Sequence, residues 1–172
     1  MTLTLVLGGA RSGKSRFAQD AGEAAAGLSR PVMIVTGQAF DDEMADRISR
    51  HQADRGGRWR TVEAPLELAE ALGRLTARDV AVVDCLTLWL TNVMLGEGDV
   101  EAHADRLVMA LAACPARLWL VSNEVGWGLA PETPLGRAFR DEAGRLHQKI
   151  AAVADTVCLI VAGLPLVLKG QV

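Results

Sequence analysis

The sequence has few aromatic residues and no excess of basic charge. Aromatic side chains make up 4% of the 172 residues, and 18 lysines and arginines stand against 21 aspartates and glutamates, for a formal net charge of −3. The chain therefore lacks the base-stacking platforms and the basic surface that binders of nucleic acid or anionic membranes use. We expect neither kind of partner.

Cysteines and long apolar runs are also scarce. The 3 cysteines, Cys85, Cys114 and Cys158, form no Cys-x-x-Cys pair, so their spacing indicates reduced thiols rather than a disulfide framework or a zinc site. The most apolar stretch, residues 157–168, is interrupted by Gly163 and is well short of the ~20 residues that span a bilayer. It predicts buried strands. No signal peptide pattern follows Met1, so we expect a cytoplasmic protein without stable membrane insertion.

Short apolar runs rich in Val, Ile and Leu alternate with longer segments of helical spacing. The runs lack the strict alternation of a sheet with one wet face, which is typical of strands covered on both faces. In residues 139–153 apolar side chains recur in three- and four-residue steps, and Gly96–Asp99 predicts a turn between helices. The pattern predicts an α/β fold with a mostly parallel sheet, helices on both faces and one domain over residues 1–172. The apolar runs are Leu3–Leu7, Val32–Val35, Val80–Val83, Leu118–Val121 and Val157–Val161.

A glycine-rich segment follows the first apolar run directly. Residues 8–15 read Gly-Gly-Ala-Arg-Ser-Gly-Lys-Ser, which matches the G-x-x-x-x-G-K-[S/T] phosphate loop. Glycines let successive backbone N–H groups and the positive end of the next helix point at phosphate oxygens. Lys14 would reach the β- and γ-phosphates, and the Ser15 hydroxyl would bind Mg²⁺. The strand–loop–helix context disfavours the alternative, a glycine-rich turn that binds no ligand.

Asp84 closes the apolar run that begins at Val80. A phosphate-loop site needs a carboxylate near its metal, and the end of a neighbouring strand commonly supplies it. Asp84 is therefore the candidate Mg²⁺ ligand beside Ser15. The open alternative is that Asp84 caps the helix that follows. These residues predict a site for a nucleoside triphosphate with magnesium, and they leave the reaction open.

His51 is the candidate nucleophile. It ends a segment of helical spacing, residues 41–51, that follows Thr36-Gly-Gln38. A neutral imidazole attacks phosphorus competently, and nearby arginines would take up phosphate charge. The alternative for His51 is a histidine at the edge of the core, and the alternative for the arginines is a solvated basic face. His103 and His147 are predicted to be structural. The arginines are Arg50, Arg55, Arg58 and Arg60.

Six sequence blocks extend the pattern beyond the phosphate loop. They are Gly8–Ser15, Asp42–Ile48 leading to His51, Trp59–Glu63, Val83–Thr87 with Thr91 and Asn92, Ser122–Gly126, and Leu135–Arg145. Through these blocks the chain resembles, over essentially its whole length, the bifunctional adenosylcobinamide kinases and adenosylcobinamide-phosphate guanylyltransferases of cobalamin biosynthesis. The phosphate loop alone fits many unrelated enzymes, whereas six blocks in the right order are specific to this family.

The resemblance implies two successive reactions on one P-loop domain. In the first, ATP or GTP phosphorylates the hydroxyl group on the aminopropanol arm of adenosylcobinamide. In the second, His51, at the position of the family's nucleophile, attacks the α-phosphate of GTP, releases pyrophosphate and becomes guanylylated. Adenosylcobinamide phosphate then takes the GMP and gives adenosylcobinamide-GDP. Splitting the transfer into two displacements is ordinary covalent catalysis.

The resemblance also implies the residues and the assembly. Lys14 and His51 would be catalytic, Ser15 and Asp84 would hold Mg²⁺, and the chain would form a homo-oligomer, by family likeness a trimer. The implied nucleotide contacts are Gly8, Gly9, Ala10, Arg11, Ser12, Gly13, Lys14, Ser15, Thr36, Gly37, Gln38, Gln52, Ala53, Asp54, Arg55, Glu63 and Asp84.

Two departures from the family pattern stand out. Gly56-Gly57 follows Arg55 where family members commonly have proline, and His147 stands where asparagine is usual. Two glycines allow more backbone conformations, so we expect a more mobile loop with an ordering cost on nucleotide binding. Neither departure touches Lys14 or His51, and both activities are expected.

Two other functions stay open on the sequence alone. One is a small-molecule kinase that never forms a covalent nucleotide, and the other is a nucleotide-binding regulatory switch. The residues that contact the corrinoid have no short motif. Trp127, between Gly126 and Gly128, is a candidate apolar contact, with ordinary packing as the alternative.

Overall fold

The computed structural model describes residues 2–37 and 56–171. A short 3₁₀ helix occupies Gly56–Arg58. The strands are β1 (Thr2–Gly8), β2 (Val32–Val35), β3 (Arg60–Glu63), β4 (Val80–Asp84), β5 (Arg117–Asn123), β6 (Thr156–Val161) and β7 (Leu164–Lys169). The α-helices are α1 (Lys14–Ala26), α2 (Leu68–Gly73), α3 (Leu86–Leu95), α4 (Val100–Ala113) and α5 (Pro134–Val153).

The strands form one sheet in the order β3-β2-β4-β5-β1-β6-β7. Every neighbouring pair from β3 to β6 is parallel, and among the described strands only β7 runs antiparallel, beside β6. The predicted mostly parallel α/β sheet is confirmed. Because the carboxyl ends of parallel strands meet at one edge, the chain segments that follow β1, β2, β3, β4 and β5 all start from that edge.

Helices cover both faces of the sheet, as predicted. On one face Ala18 of α1 joins a buried cluster with Val6 and Val82. On the other face α2 to α5 surround a larger buried cluster that includes Leu5 and Leu120. Successive residues of a strand point to opposite faces, so Leu5 and Val6 serve the two clusters in turn. This explains the continuous apolar runs in the sequence.

Helix ends match the sequence signals where these are clear. In α5 the Thr133 hydroxyl accepts a hydrogen bond from the Gly136 N–H at 3.1 Å, and Pro134 starts the helix, which is a favourable N-terminus. The apolar steps predicted in residues 139–153 form the buried side of this helix. The predicted turn at Gly96–Asp99 joins α3 to α4, and Asp99 caps α4 by accepting from the Ala102 N–H at 3.0 Å.

Two strands differ from the prediction. The sequence shows no sign of β3, because its four residues include one apolar side chain, Val62. The expectation of buried strands over residues 157–168 is right for β6 and wrong for β7, where Leu164 is 71% and Leu168 58% exposed. The chain reverses at Gly163 (φ 79°), so β7 becomes an edge strand whose residues are all exposed. None of the helices in the described ranges is long and apolar enough to cross a membrane.

Candidate nucleotide-binding site

The predicted phosphate loop connects the end of β1 to the start of α1. Two glycines make its path possible. A Cβ on Gly8 would lie 2.9 Å from the Ile160 carbonyl oxygen. Gly13 has φ +96°, and a Cβ there would lie 3.2 Å from Cα of Gly163. Side chains at either position would therefore meet backbone atoms, and at Gly13 the left-handed conformation adds strain.

The loop presents backbone donors to the solvent. Residues 9–11 are exposed, and the N-cap residue of α1, Gly13, has no side chain with which to cap the helix. The Nζ of Lys14 lies 3.0 Å from the Gly9 carbonyl oxygen, so the ammonium group is folded over the loop. An uncapped helix start with an adjacent lysine is an arrangement suited to phosphate.

The turn between β6 and β7 supports the loop from behind. The Gly163 N–H donates to the Ser12 carbonyl oxygen at 2.8 Å. The Ser12 hydroxyl is buried, and no described residue forms a hydrogen bond with it. The backbone of this turn thus supports the loop.

Asp84 and Ser15 carry side-chain oxygen atoms at the same edge. Asp84 is the last residue of β4, and the N-cap of α3 is Cys85, so the helix-capping alternative for Asp84 does not apply. Both side chains are partly exposed. Mg²⁺ is commonly bound by one or two protein oxygens together with substrate phosphates, and this donor set fits it. No cluster of three or more His, Cys, Asp or Glu in the described ranges offers a complete metal site.

Thr36 lies inside the fold, beneath the edge. It is fully buried, and its hydroxyl donates to the Cys85 carbonyl oxygen at 2.7 Å and accepts from the Cys85 N–H at 3.0 Å. The side-chain amide of Asn92 donates to the carbonyl oxygens of Thr36, at 2.8 Å, and Pro65, at 2.9 Å. The hydroxyl therefore ties the end of β2 to the start of α3, whereas the next residue, Gly37, is partly exposed. Burial raises the pKa of the Cys85 thiol, which stays protonated at neutral pH.

Glu63 lies at the same level of the edge as Asp84. Both residues pair in register with Val35 of β2, one from each side. Glu63 is exposed at the end of β3. The structure therefore brings the phosphate loop, Gly37, Glu63 and Asp84 to one edge of the sheet.

The end of β5 adds polar groups that no motif assigned a role. Asn123 pairs in register with Gly8, and its side-chain amide donates to the Thr87 hydroxyl at 2.8 Å. The Glu124 N–H donates to the Gly8 carbonyl oxygen at 3.0 Å. The available signal was a run of three polar residues, Ser122 to Glu124, directly after the apolar run Leu118–Val121.

His147 is buried behind this group, as its structural role predicts. Its Nε2 lies 2.7 Å from the Ser122 hydroxyl oxygen, and its Nδ1 lies 3.9 Å from Oε2 of Glu124. Burial lowers the pKa of His147, and the negative charge of Glu124 opposes this only in part. The ring is therefore mostly neutral at pH 7.

Two of the arginines near His51 in sequence take part in surface ion pairs. Nη1 of Arg58 lies 3.2 Å from Oε2 of Glu23. Arg60 is at the amino end of β3, and its Nη2 lies 3.4 Å from Oδ1 of Asp79. They form the solvated basic face that was the alternative to phosphate binding. Several other predicted residues lie outside the described ranges, as does the predicted helix over residues 41–51. These are Gln38, Arg50, His51, Gln52, Ala53, Asp54 and Arg55.

The loop after β5 exposes apolar side chains at the same edge. Trp127 is 77% and Leu129 98% exposed. Ordinary packing of Trp127, the alternative raised by the sequence, is therefore not observed. The side chain is available to an apolar ligand.

Comparison with solved structures supports the fold. Residues covering 92% of this chain superpose on 70% of a KaiC-like protein of Pyrococcus horikoshii, with a TM-score of 0.54 and 15% identity. The flagellar accessory protein FlaH of Methanocaldococcus jannaschii matches 99% of this chain and 79% of its own, with a TM-score of 0.53 and 14% identity. At these identities the likeness shows the P-loop fold alone.

Sequence comparison is more specific. The bifunctional adenosylcobalamin biosynthesis protein CobP of Pseudomonas aeruginosa is 47% identical over 171 residues, which cover 97% of each chain. The corresponding CobU protein of Escherichia coli is 40% identical over 97% of this chain and 99% of its own. The CobU protein of Salmonella typhimurium is 42% identical with the same coverage. A family model described as cobinamide kinase / cobinamide phosphate guanyltransferase matches residues 4–168. With its phosphate loop, edge carboxylates and near-complete alignment, this chain is an enzyme of the cobinamide kinase / cobinamide phosphate guanyltransferase family.

Proposed function

We propose that the enzyme phosphorylates adenosylcobinamide with ATP or GTP and then transfers GMP from GTP to adenosylcobinamide phosphate through a guanylylated His51. The observation that carries this proposal is the phosphate loop, with its uncapped helix start and the buried Lys14, in a chain whose family match spans residues 4–168. The product is adenosylcobinamide-GDP, an intermediate in assembling the nucleotide loop of cobalamin.

In both steps the described residues bind and orient the triphosphate. Backbone N–H groups of the loop and the Lys14 ammonium group take up its negative charge. Ser15 and Asp84 would hold Mg²⁺, which when bound offsets charge on the phosphate oxygens. Glu63 and Gly37 lie at the same edge, where they would contact the rest of the nucleotide.

The second step is a double displacement. An imidazole nitrogen of His51 forms a bond to the α-phosphorus of GTP, and the bond from that phosphorus to the bridging oxygen breaks, so pyrophosphate leaves. A phosphate oxygen of adenosylcobinamide phosphate then forms a bond to the same phosphorus, and the imidazole leaves. In the sequence, His51 belongs to the segment that follows Gly37. Gly37 lies at the edge of the sheet that carries the phosphate loop.

The position of the label tests this proposal. Incubation with GTP labelled at the α-phosphate leaves acid-labile label on the wild-type protein, whereas γ-labelled GTP leaves none. His51→Ala abolishes the α-label, and the matched control His103→Ala, on helix α4, retains it. Absence of α-label from the wild-type protein, or its persistence in His51→Ala, contradicts the covalent step.

Mass analysis of the corrinoid separates the remaining functions. If adenosylcobinamide gains a phosphate while the protein takes no α-label, the enzyme is a simple kinase. If the corrinoid gains no mass with GTP and Mg²⁺, the protein is a nucleotide switch. The proposed function requires the phosphate first and the GMP second.

We also propose that the chain forms a homo-oligomer, by family likeness a trimer, in the cytoplasm. The exposed apolar side chains of β7, Leu164, Leu166, Val167 and Leu168, support an association surface on this edge strand. Sedimentation equilibrium measures the state directly. A mass equal to the 18.3 kDa chain at all concentrations contradicts the assembly.

A further inference from the structure

Glu124 occupies a distinct position at the carboxyl edge of the sheet. Strand β5 lies between β1, which leads into the phosphate loop, and β4, which ends at Asp84. Glu124 follows β5 directly, and its N–H donates to the carbonyl oxygen of Gly8, the first residue of the loop. In strand order, Glu124 therefore stands between the phosphate loop and the proposed metal ligand.

The carboxylate of Glu124 is held at one oxygen. Its Oε1 accepts a hydrogen bond from the Gly126 N–H at 2.6 Å, and its Oε2 lies 3.9 Å from Nδ1 of His147. The His147 ring is in turn fixed by the Ser122 hydroxyl. The Glu124 side chain is 20% exposed, so a group at the edge of the sheet can reach it.

The His147 ring beside the Glu124 carboxylate carries little charge. Because burial lowers the pKa of His147, the neighbouring ring is mostly neutral at pH 7, and it places little positive charge beside the carboxylate. A general base must lie within hydrogen-bond reach of the proton that it takes up. Of the edge carboxylates described above, Asp84 is assigned to the metal and Glu63 is separated from β1 by three strands.

We propose that Glu124 is the general base for phosphoryl transfer to adenosylcobinamide, an inference that rests on the proposed function. The substrate hydroxyl oxygen forms a bond to the γ-phosphorus. The bond from the γ-phosphorus to the bridging oxygen breaks, and its electron pair leaves with the nucleoside diphosphate. The hydroxyl proton moves to Oε2 of Glu124, which afterwards releases it to water.

The guanylyl step does not need this base. Its nucleophiles are a neutral imidazole and an ionised phosphate oxygen, and neither has to lose a proton before it attacks. The two proposed reactions share the phosphate loop, so a substitution in the loop lowers the rates of both. They respond separately to loss of the base, which makes the role of Glu124 measurable.

The test compares Glu124→Gln with Glu132→Gln. Glutamine retains an oxygen that can accept from the Gly126 N–H, and Glu132 is an exposed glutamate before α5. General-base catalysis contributes about 10²–10⁴-fold. We expect Glu124→Gln to lower γ-phosphoryl transfer to adenosylcobinamide by about that factor, while α-label from GTP accumulates on the protein at the wild-type rate. Glu132→Gln retains both activities.

The outcomes separate the two proposals. Wild-type phosphoryl transfer in Glu124→Gln overturns the role of Glu124. Equal losses of phosphoryl transfer and α-labelling in that variant, with an unchanged melting temperature, also overturn it, because they place Glu124 in the shared nucleotide site. Failure of the wild-type protein itself to take α-label contradicts the covalent mechanism and leaves the phosphoryl-transfer comparison intact.

Discussion

The Thr36 hydroxyl makes two hydrogen bonds to a single residue, Cys85, and so joins the ends of two neighbouring strands. This junction stabilises the carboxyl edge of the sheet at the point where Asp84 ends β4. Family likeness predicts Thr36 as a nucleotide contact, but the sequence carries no information about the partners of its hydroxyl, which in the structure is buried against Cys85. The partners of the hydroxyl depend on the pairing of β2 with β4, which brings together two residues that are 49 positions apart in the sequence.

Replacing Thr36 with valine tests the junction. Valine keeps the shape but leaves the buried N–H and C=O of Cys85 without the hydroxyl, so the free energy of unfolding falls by about 1–3 kcal/mol. Thr36→Ser restores the hydroxyl and recovers most of the loss. Urea unfolding followed by circular dichroism measures both variants. Equal stability of Thr36→Val and wild type contradicts the structural role.

His147 gives the stability of the fold a pH dependence. Because burial lowers its pKa in the folded protein, the unfolded chain binds a proton more readily once the pH falls below about 6.5. Stability from the neutral ring is complete above that pH and is lost as the pH falls toward the folded pKa. Each unit of depression corresponds to about 1.4 kcal/mol.

The variant His147→Asn, which places the residue usual in the family at this position, removes the titrating group. Between pH 7.5 and pH 5.5 the free energy of unfolding falls more steeply in the wild type than in His147→Asn. Parallel pH profiles from urea unfolding of the two proteins would contradict this prediction.

At the scale of elements, the sequence predicted what depends on local pattern. Five buried strands and the phosphate loop were identified from apolar runs and glycine spacing. Strand β3 was not, because pairing with β2 stabilises a segment, Arg60–Glu63, that is mostly polar. The exposure of β7 was also not predicted, because apolar composition does not distinguish a central strand from an edge.

The loop after β5 is the element that we expect to contact the corrinoid. Removing the exposed ring with Trp127→Ala raises the KM for adenosylcobinamide about tenfold, equivalent to about 1.4 kcal/mol of binding. Guanylylation measured without corrinoid stays unchanged. The control is Leu28→Ala, which removes a fully exposed side chain just after α1, at its end remote from the phosphate loop. An unchanged KM in Trp127→Ala removes the loop from the corrinoid site.

At the scale of the whole molecule, six parallel strands bring residues from the length of the chain to one edge. The sequence predicted this convergence as a consequence of the fold class. It did not predict the place of Glu124, because that depends on β5 lying between β1 and β4. The residues of the covalent step, His51 and its neighbours, lie outside the described ranges, and their assignment stays a prediction.

If both proposed reactions take place, the phosphate loop at residues 8–15 serves them in turn. A β,γ-imido analogue of ATP, which does not transfer its γ-phosphate, should therefore slow α-labelling by GTP, and excess GTP should restore the rate. Lys14→Ala should lose both reactions together. Adenosine, which lacks phosphates, is the control. Full-rate labelling at a concentration where the analogue is shown to be bound would indicate two separate sites.

The hydrogen bond from Gly163 to Ser12 joins two distant parts of the chain, and the Leu3 N–H likewise donates to Asp155, 152 residues away. During translation the phosphate loop leaves the ribosome early, whereas the turn that supports it is among the last described segments to be made. A nascent chain therefore carries the nucleotide motif long before it has a nucleotide site. We expect affinity for the triphosphate to appear only when the hairpin of β6 and β7 has formed beside the loop.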